Sequence, residues 1–335
     1  MKILPKIMIF FFSLIMSSCM FIARKQGSQN MIIKNQIETN MKVHFLLNSD
    51  PRAQTIVGSI MKSIPLSGGL SGDEVYLIND KFVLKKFNIY NTKAVEIQKQ
   101  AALLAIAPNI LYENSKERFV LMEFAGKSSV PRDQHTIKNL ANFLKTLHQV
   151  TPTNDMLPLD PFEKVQDALQ FLQSKNLPQE ILNKFVKVLS LKKYANNNGT
   201  ICHNDLNPNN LLFSNDKVIA IDWDAAGLND PYYDLATIAM WYIMVPEIEK
   251  KLLKEYLGRD SKISELKHLD IMKKVVMAII GENLIKAGIK MGCTVKPETP
   301  SDSLSEFLPK IGRGQVKLDS GKKLYEFGLI LLKEI

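Results

Sequence analysis

Residues 202–236 read CHNDLNPNNLLFSNDKVIAIDWDAAGLNDPYYDLA and concentrate side chains that could move a phosphoryl group. His203, Asp205, Asn207, Asn209 and Asn210 crowd one short segment. Pro208 keeps Asn207 out of helical backbone, so the segment is a shaped loop. Two apolar runs, 211–213 and 217–221, flank Ser214, Asn215 and Asp216, a hairpin signal. Folding that hairpin about Asn215 and Asp216 sets Asn210 opposite Ile221, one residue from Asp222. A neutral oxygen and a carboxylate then meet at the open end of the hairpin, and Asp205 enters the same end from the loop. Such a cluster of oxygens suits a hard cation that keeps some of its water, notably Mg²⁺. Phosphoryl transfer needs these parts: a carboxylate to orient and deprotonate the attacking hydroxyl, and ligands that hold Mg²⁺ against the phosphates. Asp205 and His203 are the catalytic candidates, and Asn210 and Asp222 the metal ligands. His203 reads first as a brace of the loop by hydrogen bonding.

The nucleotide side must come from upstream. Residues 65–80 form a glycine-bearing turn leading into a strand, and Gly68, Gly69 and Gly72 free the backbone to point N–H groups at phosphates. Residues 81–87 are a second strand with Val83, Lys85 and Phe87 on one face, and residues 119–124 are a third. Lys85 is similar to the strand lysine that binds α- and β-phosphates in protein kinases. Glu96, on a helix predicted over 92–106 and ended by Pro108, is its candidate partner. Met122, Glu123 and Phe124 resemble a hinge whose backbone would bind adenine.

The remaining elements position these residues. Residues 50–63 read as a helix capped by Asp50 with Pro51 in its first position. Past Gly126, helices are predicted at 136–149, 162–174, 179–194, 233–257, 263–290 and 320–334. Residues 294–319, with three prolines and two glycines, read as a loop. A small strand-rich unit is thus followed by a larger helical one.

The segment CHNDL followed by Asn210, then IDWD and NDPYYDLA, resembles the choline/ethanolamine kinase group of the aminoglycoside-phosphotransferase and protein-kinase-like superfamily. The segment SGGLS (67–71), with Tyr76 downstream, is similar to that group's phosphate loop, which adds Ser71 to the nucleotide contacts. The resemblance covers about residues 50–290. It implies an α+β, two-lobed kinase fold: an antiparallel-sheet N-lobe over 50–124 that binds nucleotide, and a helical C-lobe over 125–335 that carries catalysis and substrate. It implies ATP as cosubstrate, Mg²⁺ as cofactor and Asp224 as a further metal ligand. Gly72 stands where the group carries Asn, and Asp224 where it often carries Glu. Choline would need an aromatic cage, because its trimethylammonium group donates no hydrogen bond. Tyr232, Tyr233, Trp241 and Tyr242 are the candidates. Asp230 and Asp234 read as a helix cap and a brace of the catalytic loop. An aminoglycoside- or thiamine-type kinase, and a catalytically silent, membrane-tethered binding protein, are the competing readings. A protein kinase is disfavoured, since neither D-F-G nor A-P-E follows Asp222.

The net charge of +9 is uneven: residues 1–42 hold six Lys and Arg against Glu38 alone. The body lacks a dense basic stripe interleaved with aromatics, which argues against a nucleic-acid partner. Three scattered cysteines fit neither a zinc site nor a disulfide framework. Residues 1–30 carry Lys2 and Lys6, an apolar run over 7–16, and Ser17, Ser18 and Cys19. Three readings stay open: a secretory or lipoprotein-like export signal; a short membrane anchor over 7–23 with Arg24 and Lys25 at its cytoplasmic end; or a later start at Met31 or Met41. An ATP-dependent enzyme favours the cytoplasm, free or attached to the inner face of the membrane. Residues 31–49 read as a linker.

Overall fold

The computed structural model describes residues 29–48, 50–66, 72–126, 136–153, 155–194, 199–214, 217–243, 246–294 and 300–335. All of residues 1–30 except 29 and 30 therefore lie outside the described residues, and none of the described helices is long and apolar enough to cross a membrane.

The expected linker is a helix. α1 spans Gln29–Asn48, and its Val43 and Leu47 are fully buried with Ile78, Leu84 and Phe119. Apolar residues four apart fall on one face of a helix, and that face covers the sheet. Asn40 on α1 accepts the Ser63 amide at 3.1 Å, which fastens it to the first strand. α2 runs Pro51–Val57 with the Asp50 carboxylate on the Arg52 amide, as the sequence implies. It stops short of residue 63 at Gly58, whose φ of +67 turns the chain out of the helix, and the Asn79 side chain then takes the amides of Met61 and Lys62.

Five strands then form one antiparallel sheet: β1 Ser63–Pro65, β2 Glu74–Ile78, β3 Phe82–Lys86, β4 Ile110–Asn114 and β5 Phe119–Glu123, in the order β1-β2-β3-β5-β4. Within it Lys85 pairs with Val75 on one side and Val120 on the other. β4 was not expected. It is an edge strand, half-buried along its length, and carries none of the alternation that marks a strand in sequence. Between β3 and β4, α3 spans Thr92–Leu103, capped by Asn91 on the amides of Lys93 and Ala94. Its buried face is Ala94, Val95, Ile97, Gln98 and Ala101.

The helical lobe holds α4 Thr136–Leu147, α5 Pro161–Ser174 and α6 Gln179–Ser190 before the central strands. β6 Thr200–Cys202 pairs with β9 Gly227–Asn229, and β7 Leu211–Ser214 with β8 Lys217–Ala220. Then come α7 Pro231–Ile238, α8 Pro246–Leu257, α9 Ile263–Lys290, α10 Leu304–Gly312 and α11 Gly321–Lys333. Two expectations are corrected here. The helix predicted over 233–257 is broken: a wide helical turn at Ala239–Ile243 separates α7 from α8. The predicted loop 294–319 contains α10. Ser303 and Glu306 cap each other there, and Leu304, Phe307, Leu308 and Ile311 are buried, so an apolar face outweighs the helix-breaking proline inside it.

α11 lies antiparallel on α9. A Cβ built on Gly288 would stand 2.6 Å from the Gly321 carbonyl oxygen, and one on Gly328 would stand 2.6 Å from that of Gly281. Two glycine pairs, seven residues apart on each helix, let the backbones touch and close one side of the lobe's core.

Candidate active site

The loop after β6 is held from below by α7. Asp230 caps that helix on the Tyr232 amide at 2.9 Å. One turn on, Asp234 is fully buried and accepts the backbone amides of His203 at 2.9 Å and Asn204 at 3.0 Å. Both acidic residues thus do what the sequence suggests. Asn204 has φ +65, a left-handed backbone that Asn tolerates better than most residues. Its side chain donates to Ala225 O at 2.9 Å and accepts from Asn229 at 2.7 Å, stitching the loop to β9. Sequence reading passed over Asn204. The run of Asx residues around it was the available signal.

His203 is fully buried, and its ring lies 4.7 Å from that of Trp223. Nε2 sits 3.1 Å from the Ile221 carbonyl, which only accepts, so Nε2 carries the proton. Burial holds its pKa below the usual histidine value against the pull of Asp234, Asp205 and Asp222. A neutral ring with its proton on a backbone carbonyl is a brace between the loop and the end of β8.

Asp205 stands above this frame. Its Oδ1 accepts from Asn207 at 3.0 Å and its Oδ2 from Asn210 at 2.8 Å. Burial raises its pKa, and the Asn207 amide and its other hydrogen-bonding neighbours reclaim part of the shift. The hairpin closes in the predicted register: Ile221 N–H reaches Asn210 O at 2.9 Å. Because the Asn210 amide nitrogen is committed to Asp205, Oδ1 is the atom it can offer a cation. Asp222 follows with φ +63, a strained setting that re-aims its carboxylate at the end of the strand.

Lys85 crosses from the sheet to meet it. Its Nζ lies 2.6 Å from Asp222, 2.6 Å from Asp224 and 3.5 Å from Asp73. Burial would lower the pKa of Lys85, but the carboxylates outweigh it and the net shift is upward. Asp224 is pushed up to about 6 by its own burial, with Lys85 pulling the other way and Asp222 adding repulsion. One ammonium does not neutralise three carboxylates, and Asp224 carries the excess. The two carboxylates that converge on the Lys85 ammonium, with the Asn210 amide oxygen at the open end of the same hairpin, are hard oxygens of the kind that Mg²⁺ takes.

The expected helix partner of Lys85 is corrected. Glu96 sits on the outer face of α3, its side chain 49% exposed, and pairs with Lys99 at 3.4 Å. Val95 and Gln98 hold the inward positions of that helix. At the expected hinge, the Glu123 amide donates to Asn109 O and the Phe124 amide to Lys81 O, so neither is available to adenine. Met122 is buried against Gln98. The amides of Ala125 and Gly126 make no such bond among the described residues. Gly68, Gly69 and Ser71 lie outside the described residues. Gly72 is described, with φ +81. That is a conformation open to Gly and Asn, which explains how Gly replaces the resembled group's Asn at this position.

The aromatic candidates divide. Tyr232 packs edge-on against His268 at 4.6 Å, and burial together with Glu265 and Asp230 raises its pKa to about 12. It belongs to the α7–α9 contact. Trp241 packs on Phe327 at 6.1 Å and Tyr242 on Phe213 at 6.0 Å. Tyr233, buried, is the one whose phenol feels Asp205.

Fold and site together define a kinase-like phosphotransferase: an antiparallel sheet supplying a lysine, and a helical lobe supplying a braced aspartate and a hairpin with Asn210 and Asp222 at its open end. The profile of the phosphotransferase enzyme family (APH) matches residues 63–267, and the chain belongs to that family. Its class is an ATP-dependent phosphotransferase acting on a hydroxyl. A LicA homolog of Mycoplasma capricolum subsp. capricolum is 26% identical over 191 residues, 56% of this chain and 76% of that protein. The crystal structure of a choline/ethanolamine kinase family protein from Mesorhizobium loti superposes with a TM-score of 0.62 at 16% identity, covering 89% of this chain and all of that one. That of choline kinase LicA from Streptococcus pneumoniae gives 0.59 at 16% identity over 87% and 100%. At these identities the structures bear on the fold.

Proposed function

We propose that this protein transfers the γ-phosphoryl group of Mg²⁺-ATP to the hydroxyl of a small amino alcohol, choline first and ethanolamine next. The observation that carries the chemistry is the convergence of Asp205, Asn210, Asp222, Asp224 and Lys85 from two lobes. The similarity to LicA proteins supports the acceptor. Asp205 accepts the hydroxyl proton as the acceptor oxygen bonds to the γ-phosphorus, the bond from phosphorus to the bridging oxygen breaks, and ADP leaves. Mg²⁺, held by Asn210, Asp222 and Asp224, would neutralise the phosphate charge. Lys85 binds the remaining phosphates, and Asn207 and Asn210 fix the angle at which Asp205 meets the hydroxyl. His203 keeps the loop and β8 together. Attachment to the inner face of a membrane through residues 1–30 belongs to the same proposal and would keep the site on the side where ATP is.

The test is ADP release by the full chain with Mg²⁺-ATP against choline, ethanolamine, thiamine, an aminoglycoside and no acceptor. Choline-dependent release that disappears in Asp205→Ala is the expected result. Release driven by the aminoglycoside or thiamine alone overturns the acceptor, and no release with any of them overturns the amino-alcohol reading.

A further inference from the structure

Lys85 is only 7% exposed. A buried ammonium needs a counter-charge at all times. Among the described residues three carboxylates stand within 4.0 Å of its Nζ: Asp222, Asp224 and Asp73. With Mg²⁺ bound, the first two would serve as its ligands, which leaves Asp73 as the counter-charge of Lys85. Glu96 is on the wrong face of α3 and bound to Lys99. Asp73 is fixed from its other side as well. Its Oδ1 accepts the Asn88 amide at 2.8 Å, and its side chain is 5% exposed. Asn88 lies just beyond β3, the strand that carries Lys85, and Asp73 lies directly before β2, whose Val75 pairs with Lys85. The carboxylate therefore spans the two strands at the level of the lysine.

We infer that Asp73 is the positioning residue of Lys85, holding its ammonium toward the nucleotide phosphates from the end of the glycine loop, in the role expected of a helix carboxylate. The inference rests on the phosphotransferase reading of Lys85. It makes the lysine's aim a property of the sheet and the phosphate loop, independent of how α3 is turned.

Two measurements decide it. The first is thermal unfolding of the nucleotide-free full chain carrying Asp73→Asn, Lys85→Met, or both. Asp73→Asn lowers Tm in the wild-type background. In the Lys85→Met background it leaves Tm unchanged or raises it, because three carboxylates there face one another without an ammonium. Equal shifts in both backgrounds overturn the pair. This readout needs no nucleotide and is separate from the kinase reading. The second is titration with a fluorescent ATP analogue and Mg²⁺. Asp73→Asn weakens binding about tenfold, with the KM for the acceptor unchanged, whereas Glu96→Gln changes binding less than twofold. Wild-type affinity in Asp73→Asn, or a larger loss in Glu96→Gln, overturns the assignment. Should Asp73→Asn fail to fold, Asp73→Glu keeps the charge but displaces it, and undiminished affinity there overturns the assignment equally. A wild-type protein that binds no Mg²⁺-ATP removes the phosphotransferase reading and the positioning role with it, while the unfolding cycle still decides the pair.

Discussion

Around Asp205 the polar groups are tied down at short distance: Asp234 takes two amides, Asn204 donates to Ala225 and accepts from Asn229 of β9, and the Asn210 amide donates to both the side chain and the backbone of Asp205. Around Lys85 a single ammonium gathers three carboxylates, Asp73 from the neighbouring strand's entry and Asp222 and Asp224 from the other lobe. The first region is made rigid from within one lobe, by partners no more than 31 residues apart in sequence. The second is made by the docking of two lobes, and its partners can be exchanged. On the proposed function, the helical lobe would hold the catalytic geometry, and the sheet would bring a charge whose partners change as nucleotide and metal arrive.

Substitutions can break this contrast, and the largest effect is expected at Asp205. Asp205→Ala lowers kcat by about 10²–10⁴-fold with Tm nearly unchanged, measured by steady-state kinetics and thermal unfolding together. A large drop in Tm would mean that the catalytic group also holds the loop. Asp234→Ala does the reverse. It leaves two buried amides without an acceptor and costs about 3 kcal/mol of stability, with kcat following; denaturant unfolding reads it. Gly288→Ala drives a methyl group against the Gly321 carbonyl and costs about 1–3 kcal/mol, with the KM for ATP unaltered if the C-terminal helices serve the lobe's core alone. The pH profile sharpens the picture further. In its proposed role Asp205 must be ionised to accept a proton, and burial raises its pKa, so kcat is expected to fall on acidification through a limb above the ordinary aspartate range. A limb at the ordinary value would show that the loop is open to water. Smallest of all, Glu96→Gln changes stability by less than about 0.5 kcal/mol, as expected of an exposed charge on α3.

The catalytic loop was legible in the sequence because its geometry is local. Hydrogen bonds of Asx side chains to nearby backbone, and a hairpin with one register, can be read from spacing, and Asn210 met Ile221 as expected. Asp230 was legible for the same reason, as the cap of its own helix, whereas Asp234 reaches amides 30 and 31 residues away. Glu96 was misread because a helix shows its charges in sequence without showing which face turns inward, and Asp73 was missed because its partner arrives from another strand. β4 and α10 were hidden by composition: one has no alternation, and the other has a proline inside an apolar face. α1 read as a linker because its apolar residues are sparse, yet Val43 and Leu47 suffice to close the sheet.

The glycine contacts between α9 and α11 also set an order on how the protein is made. Tyr325, Phe327 and the run 329–332 complete the same core that α5, α6 and α9 begin. During synthesis that core waits, one flank bare, until residues past Gly328 have cleared the ribosome. A chain stopped before Gly321 would carry an intact set of catalytic residues on a lobe with an open apolar wall, a natural target for chaperones and proteases. Quality control could therefore discard a truncated product without ever inspecting its active site.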